Sequence, residues 1–365
     1  MTTSTYELYT TSPDTTSWEL PMAGDARFSW EYAGGNARLL SLYAKGKQKQ
    51  WDAATRIDWS LDVDPSDALG LPPRANALLG TRVWESMGEA DRKLTRQHFA
   101  SWQFSQFLHG EQGAMICSAR IVEGVPGLDA KLYAATQTID EARHVEAYAR
   151  FLQEKVQLVY PINPHLKSLL DNTLSDSRWD MPYLGMQVLI EGLALAAFGL
   201  LRDLTTVDLP RQLLAYVMQD EARHVAFGRI ALKEYYAQLT QAERDEREEF
   251  VVEGSYLMRD RLRGVEVWET LGLPRKECEQ AVDNSEYMRA FRNLLFSRIV
   301  PCVKDIGLWG PRVQKAYADM GVLDLAGTDL DELMSRDEQI AQEIDEHKAR
   351  AAQVQDVIDL GLAVG

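Results

Sequence analysis

Thiols, basic charge and long apolar runs are all scarce in this chain, and each scarcity removes a class of function. Three cysteines in 365 residues, Cys117, Cys278 and Cys302, stand far apart and form no redox or metal-binding motif. That fits a reducing cytosol and excludes a disulfide scaffold. Lys and Arg number 39 against 55 Asp and Glu, a formal net charge of −16, so no general basic surface is available for nucleic acid or anionic membrane. No run reaches the roughly 20 apolar residues of a membrane span; the best, VLIEGLALAAF, is interrupted by Glu191. The opening MTTSTYELYTTSPD has no basic and apolar leader pattern, so a cytoplasmic protein is expected. Strand-like alternation is nearly absent, and long helical periodicities take its place. The expected class is all-α.

What the chain does have is one pentapeptide spelled twice, Asp-Glu-Ala-Arg-His at 140–144 and again at 220–224. On a helix, residues three apart share a face, so Glu141 and His144 point to one place, as do Glu221 and His224. Another Glu stands thirty residues before each of these glutamates, Glu111 in LHGEQGAMI and Glu191 in VLIEGLALAAF. All three positions repeat at an offset of eighty residues, the mark of an internal duplication. The thirty-residue gap divides into twelve residues out from Glu111, the turn GVPGLD, and twelve residues back to Glu141. At a rise of 1.5 Å per residue each leg covers about 18 Å, which returns the chain to its starting level. Four helices thus bring six side chains to one height.

One Glu from each of two helices and Glu-x-x-His from each of two others is the dinuclear ligand set of ferritin-like carboxylate proteins. Four carboxylates and two imidazoles without thiolate suit iron or manganese better than structural zinc. The metal candidates are therefore Glu111, Glu141, His144, Glu191, Glu221 and His224. The competing reading is a pair of surface helices with salt-bridged Glu, Arg and His; Glu191 amid apolar residues argues against it.

The domain expected is a single ferritin-like bundle over 1–365: an N-terminal arm over 1–60, a metal-binding core over about 85–240, accessory helices over 241–303 and a helical tail over 304–365. The core helices are expected near 92–122, 129–157, 182–203 and 210–238, with a short connecting helix between the second and third. Small residues crowd the two upstream glutamates, among them Gly110, Gly113, Ala114, Gly192 and Ala194. Close helix packing explains them, and so does an apolar pocket beside the metals.

The two DEARH helices, Trp51 and the IDWS segment at 57–60 together resemble the small subunit of class I ribonucleotide reductase and the ligand-binding oxidases related to it. The resemblance covers roughly residues 45–240 and implies an electron relay of Trp51, Asp220 and His144. Independently, a ligating His usually gives its second N–H to a carboxylate, which makes Asp140 and Asp220 natural orienting groups and Arg143 and Arg223 their counter-charges. The resemblance also puts Tyr148, four residues after His144, where reductase subunits form a radical. It then breaks down in parts. The last tyrosine is Tyr317, so the C-terminal tyrosine that docks a large subunit is missing. Ala114 and Met186 occupy the positions where the ligand-binding oxidases crosslink Val to Tyr. GEQGAMICSARIV resembles multicomponent monooxygenase hydroxylases, but Leu195 replaces their threonine. Arylamine N-oxygenases add a seventh ligand, a His four residues before the last Glu, where this chain has Val217.

The expected function is a non-haem oxidase or oxygenase with two iron ions, or manganese and iron. It would use O2 and an external electron donor to hydroxylate, desaturate or N-oxygenate a small, partly apolar molecule, with Tyr148, Asp220 and Trp51 as catalytic candidates. The alternatives are a radical-storing reductase subunit and an iron-oxidising storage protein. The duplicated halves in one chain suit a monomer or homodimer better than a cage, with the homodimer expected.

Overall fold

The computed structural model describes residues 8–16, 18–20, 24–29, 32 and 35–363, with the side chains at 14 and 354–363 excepted. The helices that build and cover the site are α1 (Ala37–Gln48), α2 (Glu89–Gly124), α3 (Leu128–Arg150), α4 (Pro164–Ser175), α5 (Asp180–Leu204), α6 (Asp208–Tyr236), α7 (Gln241–Asp260), α8 (Glu286–Asp305) and α9 (Leu330–Ala363). No strand occurs among the described residues, and a lone bridge joins Tyr9 to Val159.

Local chemistry sets many of the boundaries. The Asn36 side chain accepts from the Arg38 and Leu39 amides to start α1, and Asn163 accepts from His165 and Leu166 ahead of Pro164 to start α4. Thr240 and Glu243 form a reciprocal capping box at α7. Asp329 accepts from the Asp331 and Glu332 amides at the start of α9.

Helices α2, α3, α5 and α6 form the four-helix core. Each observed span lies close to its expected one, but two are not α-helical throughout. Phe151–Val156 continues α3 as π-helix, and within α5 Leu184–Ile190 is π-helix that ends directly before Glu191. The wider π turn changes how the following side chain is aimed, and such segments gather at functional sites. α5 is apolar enough to cross a membrane by length and composition (mean hydropathy 1.9), yet 83% of that stretch is buried inside the bundle. A helix apolar on all sides belongs in the centre of a core.

The arm departs from the sequence reading in containing α1, which packs on α3 and α6. Its described earlier parts lie on the bundle: Thr10 N–H donates to Val159 O at 3.0 Å, Trp18 Nε1 to Asp171 at 3.0 Å and Arg27 N–H to Glu123 O at 2.8 Å. Residues 1–7, 17, 21–23, 30–31 and 33–34 of the arm fall outside the described residues. α9 lies along α6, held by a buried Asp337 that accepts from Arg298 at 2.6 Å and Arg202 at 3.4 Å.

Glycines let the helices approach closely. A Cβ on Gly185 would sit 2.9 Å from Thr173 Cβ, a stiff branched neighbour on α4, whereas a Cβ on Gly110 meets nothing within 4 Å. Gly185→Ala is therefore expected to destabilise by about 1–3 kcal/mol through overpacking. Gly110→Ala, which only stiffens a helix interior, should stabilise by about 0.4–1 kcal/mol. Urea unfolding of both variants measures the contrast, and equal effects would refute the packing assignment.

Candidate metal centre

Helix α2 contributes Glu111, α3 Glu141 and His144, α5 Glu191, and α6 Glu221 and His224. All six are buried. Their ligating atoms form two overlapping groups, Glu111, Glu141, His144 and Glu221 in one and Glu141, Glu191 and His224 in the other, with the atoms of each group within 4.8 Å of one another.

The two glutamates of the repeated motif stand between the imidazoles. Glu141 Oε2 is 3.3 Å from His144 Nδ1 and its Oε1 is 3.1 Å from His224 Nδ1. Glu221 mirrors it, with Oε1 3.1 Å from His144 Nδ1 and Oε2 3.5 Å from His224 Nδ1. Glu111 lies to one side, its Oε2 3.2 Å from His144 Nδ1. Glu191 belongs to the His224 group. Glu111, Glu141, His144 and Glu221 could thus hold one cation, and Glu141, Glu191 and His224 a second.

Behind the imidazoles the motifs cross over. His144 Nε2 lies 3.1 Å from Asp220 Oδ2, and His224 Nε2 lies 3.2 Å from Asp140 Oδ2, so each motif's Asp holds the other motif's His. A carboxylate only accepts, so the Nε2 nitrogens carry hydrogen and each Nδ1 is turned to the centre. Arg143 donates to Asp140 at 2.5 Å and to Asp220 at 2.8 Å, and Arg223 donates to Asp220. Burial pushes Asp220 up, but Arg223 and His144 outweigh it and hold the carboxyl well below its usual range. Trp51 Nε1 donates to Asp220 Oδ2 at 2.7 Å, which completes a continuous path from Trp51 through Asp220 to His144. Beside it, Gln50 Nε2 donates to Asp140 at 2.6 Å.

The residues suit a pair of divalent cations. Glu141 Oε2, Glu191 Oε2, both Glu221 oxygens and His224 Nδ1 are buried without a hydrogen-bond partner among the described residues. Burial raises Glu111 and Glu191 well above the carboxylate range, with Glu221 adding to both. Burial pulls the imidazoles down, yet Glu111 lifts His144 and Glu141 lifts His224 well above the ordinary value. Two cations would offset the burial that raises Glu111 and Glu191 and would meet the orphaned oxygens and nitrogen.

Tyr148 is fully buried among Phe104, Phe107 and Phe198, with ring centroids 5.9, 6.0 and 5.9 Å away. Its hydroxyl has no partner among the described residues, and burial, Glu111 and Glu221 push its acidity far below normal. Sequence reading missed Gln137, whose amide donates to Glu141 at 3.0 Å and Glu191 at 2.9 Å. Its signal was available: a Gln four residues before Glu141 shares that helix face. At the eighty-residue offset its counterpart is Val217. The small residues divide between the two roles foreseen for them. A Cβ on Gly113 or Gly192 would press on Leu170 or Ile299, whereas Gly110, Ala114 and Ala194 line a cavity with Glu111, Glu191 and Glu221.

A search of curated protein sequences finds no match. Among solved structures, an R2-like ligand-binding oxidase with aerobically reconstituted Mn/Fe cofactor is 18% identical, with a TM-score of 0.44 over 76% of this chain and 94% of that one. A Synechococcus protein with aldehyde deformylating oxidase activity is 16% identical, with a TM-score of 0.44 over 62% of this chain and 96% of its own. The family model described as P-aminobenzoate N-oxygenase AurF matches residues 35–307, a span that contains the whole cluster, Trp51 and Tyr148. The departure noted at Val217 thus lies inside that family, and the chain belongs to the AurF family of P-aminobenzoate N-oxygenases.

Proposed function

We propose that this chain is a non-haem diiron oxygenase that uses O2 to oxidise a small, partly apolar organic molecule, with N-oxygenation the reaction that the family points to first. The observation that carries the reading is the buried cluster of four carboxylates and two imidazoles, with unpartnered oxygens facing one another across the bundle. Glu111, Glu141, His144, Glu191, Glu221 and His224 would hold the metals. Two iron ions, or manganese and iron, supply when bound the electrons and open positions that dioxygen reduction needs.

The protein's own contribution is positioning. Asp140 and Asp220 fix the imidazole orientation, and Gln137 restrains Glu141 and Glu191 from one side. Trp51, half-buried and bonded to Asp220, lies on the path by which an external donor would deliver electrons. The small cavity beside Glu111 and Glu191, about 20 Å³ and walled by Phe107, Ile190 and Phe198, would have to widen to receive a substrate. Three buried free cysteines suit a reducing cytoplasm, and a homodimer is the proposed assembly.

One-electron chemistry is a second reading, favoured by Tyr148 in its aromatic pocket. Tyr148→Phe loses no hydrogen bond and should change stability by less than about 1 kcal/mol. Under this reading it should also remove a tyrosyl radical signal seen by electron paramagnetic resonance after aerobic iron loading; no such signal in the parent protein would dismiss it.

Glu141→Ala and His224→Ala should each lose most iron binding, measured by elemental analysis, and all iron-dependent O2 uptake. Full activity in either variant would sink the ligand assignment. Trp51→Phe should keep its iron and its melting temperature while donor-driven turnover slows by about tenfold or more. If it instead unfolds, Trp51 serves packing alone.

A further inference from the structure

The internal duplication supplies a reference for what each helix face should meet. Helices α2 and α3 of the first half correspond to α5 and α6 of the second, and their outer faces fare differently. In the second half α8 packs on α5 and α9 on α6. A Cβ on Gly192 would stand 3.2 Å from Ile299 of α8, Gln219 donates to Glu338 of α9 at 2.8 Å, and Ala222 walls a cavity with Arg298 of α8 and Met334 of α9. Ala196, Ala215, Gln219 and Ala222 are buried beneath this cover. Their counterparts eighty residues earlier, Ile116, Ala135, Ile139 and Ala142, are exposed, Ile139 by 59%. No described element covers them.

The bare face also lacks charge. Between Lys131 and Glu146 the charged residues of α3 are Asp140, Glu141 and Arg143, with the ionisable His144, and all four are buried. Between His109 and Arg120 the only charged residue of α2 is Glu111, also buried. What remains outside is Gln112, Ile116 and Ala119 on α2 beside Ala135, Ile139 and Ala142 on α3. Thr138 Oγ1 donates to Ser118 Oγ at 3.0 Å and keeps the two stripes side by side. In a chain whose residues are 26% charged, a two-helix face without a charge marks an interaction surface and not a solvated one.

We propose that a second copy of this chain packs on this face, with α2 and α3 of one copy against α2 and α3 of the other about a two-fold axis. Charge selects the partner. Each copy carries −16, so two copies repel over most of their surface and approach at least cost where neither presents a charge. An unlike partner recruited by the acidity of the chain would be basic, and this face offers it no carboxylate. A second copy offers the same uncharged stripe, the self-complementarity that a two-fold interface requires. From Leu108 to Val122 and from Leu132 to Ala149 the face measures about 25 Å by 20 Å, or about 1,000 Å² over two copies, the size that a specific interface needs. Because α2 and α3 carry Glu111, Glu141 and His144, the partner would back the ligand helices of the first half as α8 and α9 back those of the second. The inference rests on the homodimer reading and is independent of the oxygen chemistry.

Sedimentation velocity of the full-length protein over a wide range of concentration tests it. The parent should sediment at twice the 41.3 kDa of one chain. Ile116→Glu and Ile139→Glu lie on the surface and set like charge against like across the axis, so each should raise the dissociation constant by about 100-fold or more. Helical circular dichroism and iron content should stay as in the parent. Ile139→Ser, which removes the apolar contact without adding charge, should weaken pairing by about tenfold. Leu79→Glu and Leu294→Glu, at apolar positions 49% and 40% exposed away from this face, should leave the dimer intact. A dimer that withstands both glutamates at 116 and 139, or that dissociates only with Leu79→Glu or Leu294→Glu, would overturn the proposed face and keep the homodimer. A parent that stays monomeric would overturn both, and would leave the face to the segment before α1 or to an unlike protein.

Discussion

Four carboxylates at one level inside a helical bundle form the constraint to which the rest of the structure answers. Burial, with Glu221 adding to it, lifts Glu111 and Glu191 well out of the usual carboxylate range. A side chain such as Leu would contribute about 1.5–3 kcal/mol at such a position. The glutamates contribute nothing of the kind until cations neutralise them. The surroundings therefore carry the stability. Aromatic rings close the space on one side, and apolar residues cover α5 on nearly all faces.

The crossed pairing of Asp140 with His224 and Asp220 with His144 links helix register to site geometry. A slip of α3 against α6 by one turn, about 5.4 Å, would break both pairs and separate Arg143 from Asp220. Each broken pair would leave a buried charge uncompensated, which is a strong penalty against misregistered packing. Fold specificity and metal-site geometry thus depend on the same six side chains, two from each of three residue types. Gln50 and Trp51 extend the arrangement to the N-terminal segment, adjacent residues that each hold one of the two aspartates.

The six acidic and imidazole positions and the four long helices were legible because their signal is local. Constant spacing on a period of 3.6 puts them on one face, and turn residues mark where the chain doubles back. The contact of Trp51 with Asp220 was legible only by resemblance, since that hydrogen bond spans 169 residues. What could not be read depends on tertiary contact. The π segment before Glu191 packs against α4, α6 and α7, partners distant in the chain, and α1 hides in a stretch of weak period.

The duplication keeps the metal-binding residues and varies their neighbours, and this makes the two sides of the site chemically unlike. Phe107 and Tyr148 of the first half correspond at the eighty-residue offset to Gln187 and Gly228 of the second. In the first half the two rings pack at 6.0 Å beside Glu111. In the second, Gly228 leaves the space that Gln187 fills, for a Cβ there would stand 2.5 Å from Gln187 Cβ, and Gln187 in turn reaches Gln137 at 3.4 Å. One flank is therefore aromatic, and the other carries the amide of Gln137, which donates to Glu141 and Glu191 and accepts from Gln187. Two cations held here would not be equivalent. A cation nearer His144 and Glu111 would have the aromatic flank beside it, whereas one nearer His224 and Glu191 would have the amide of Gln137 against its outer carboxylate, where a donated hydrogen bond draws charge from the oxygens.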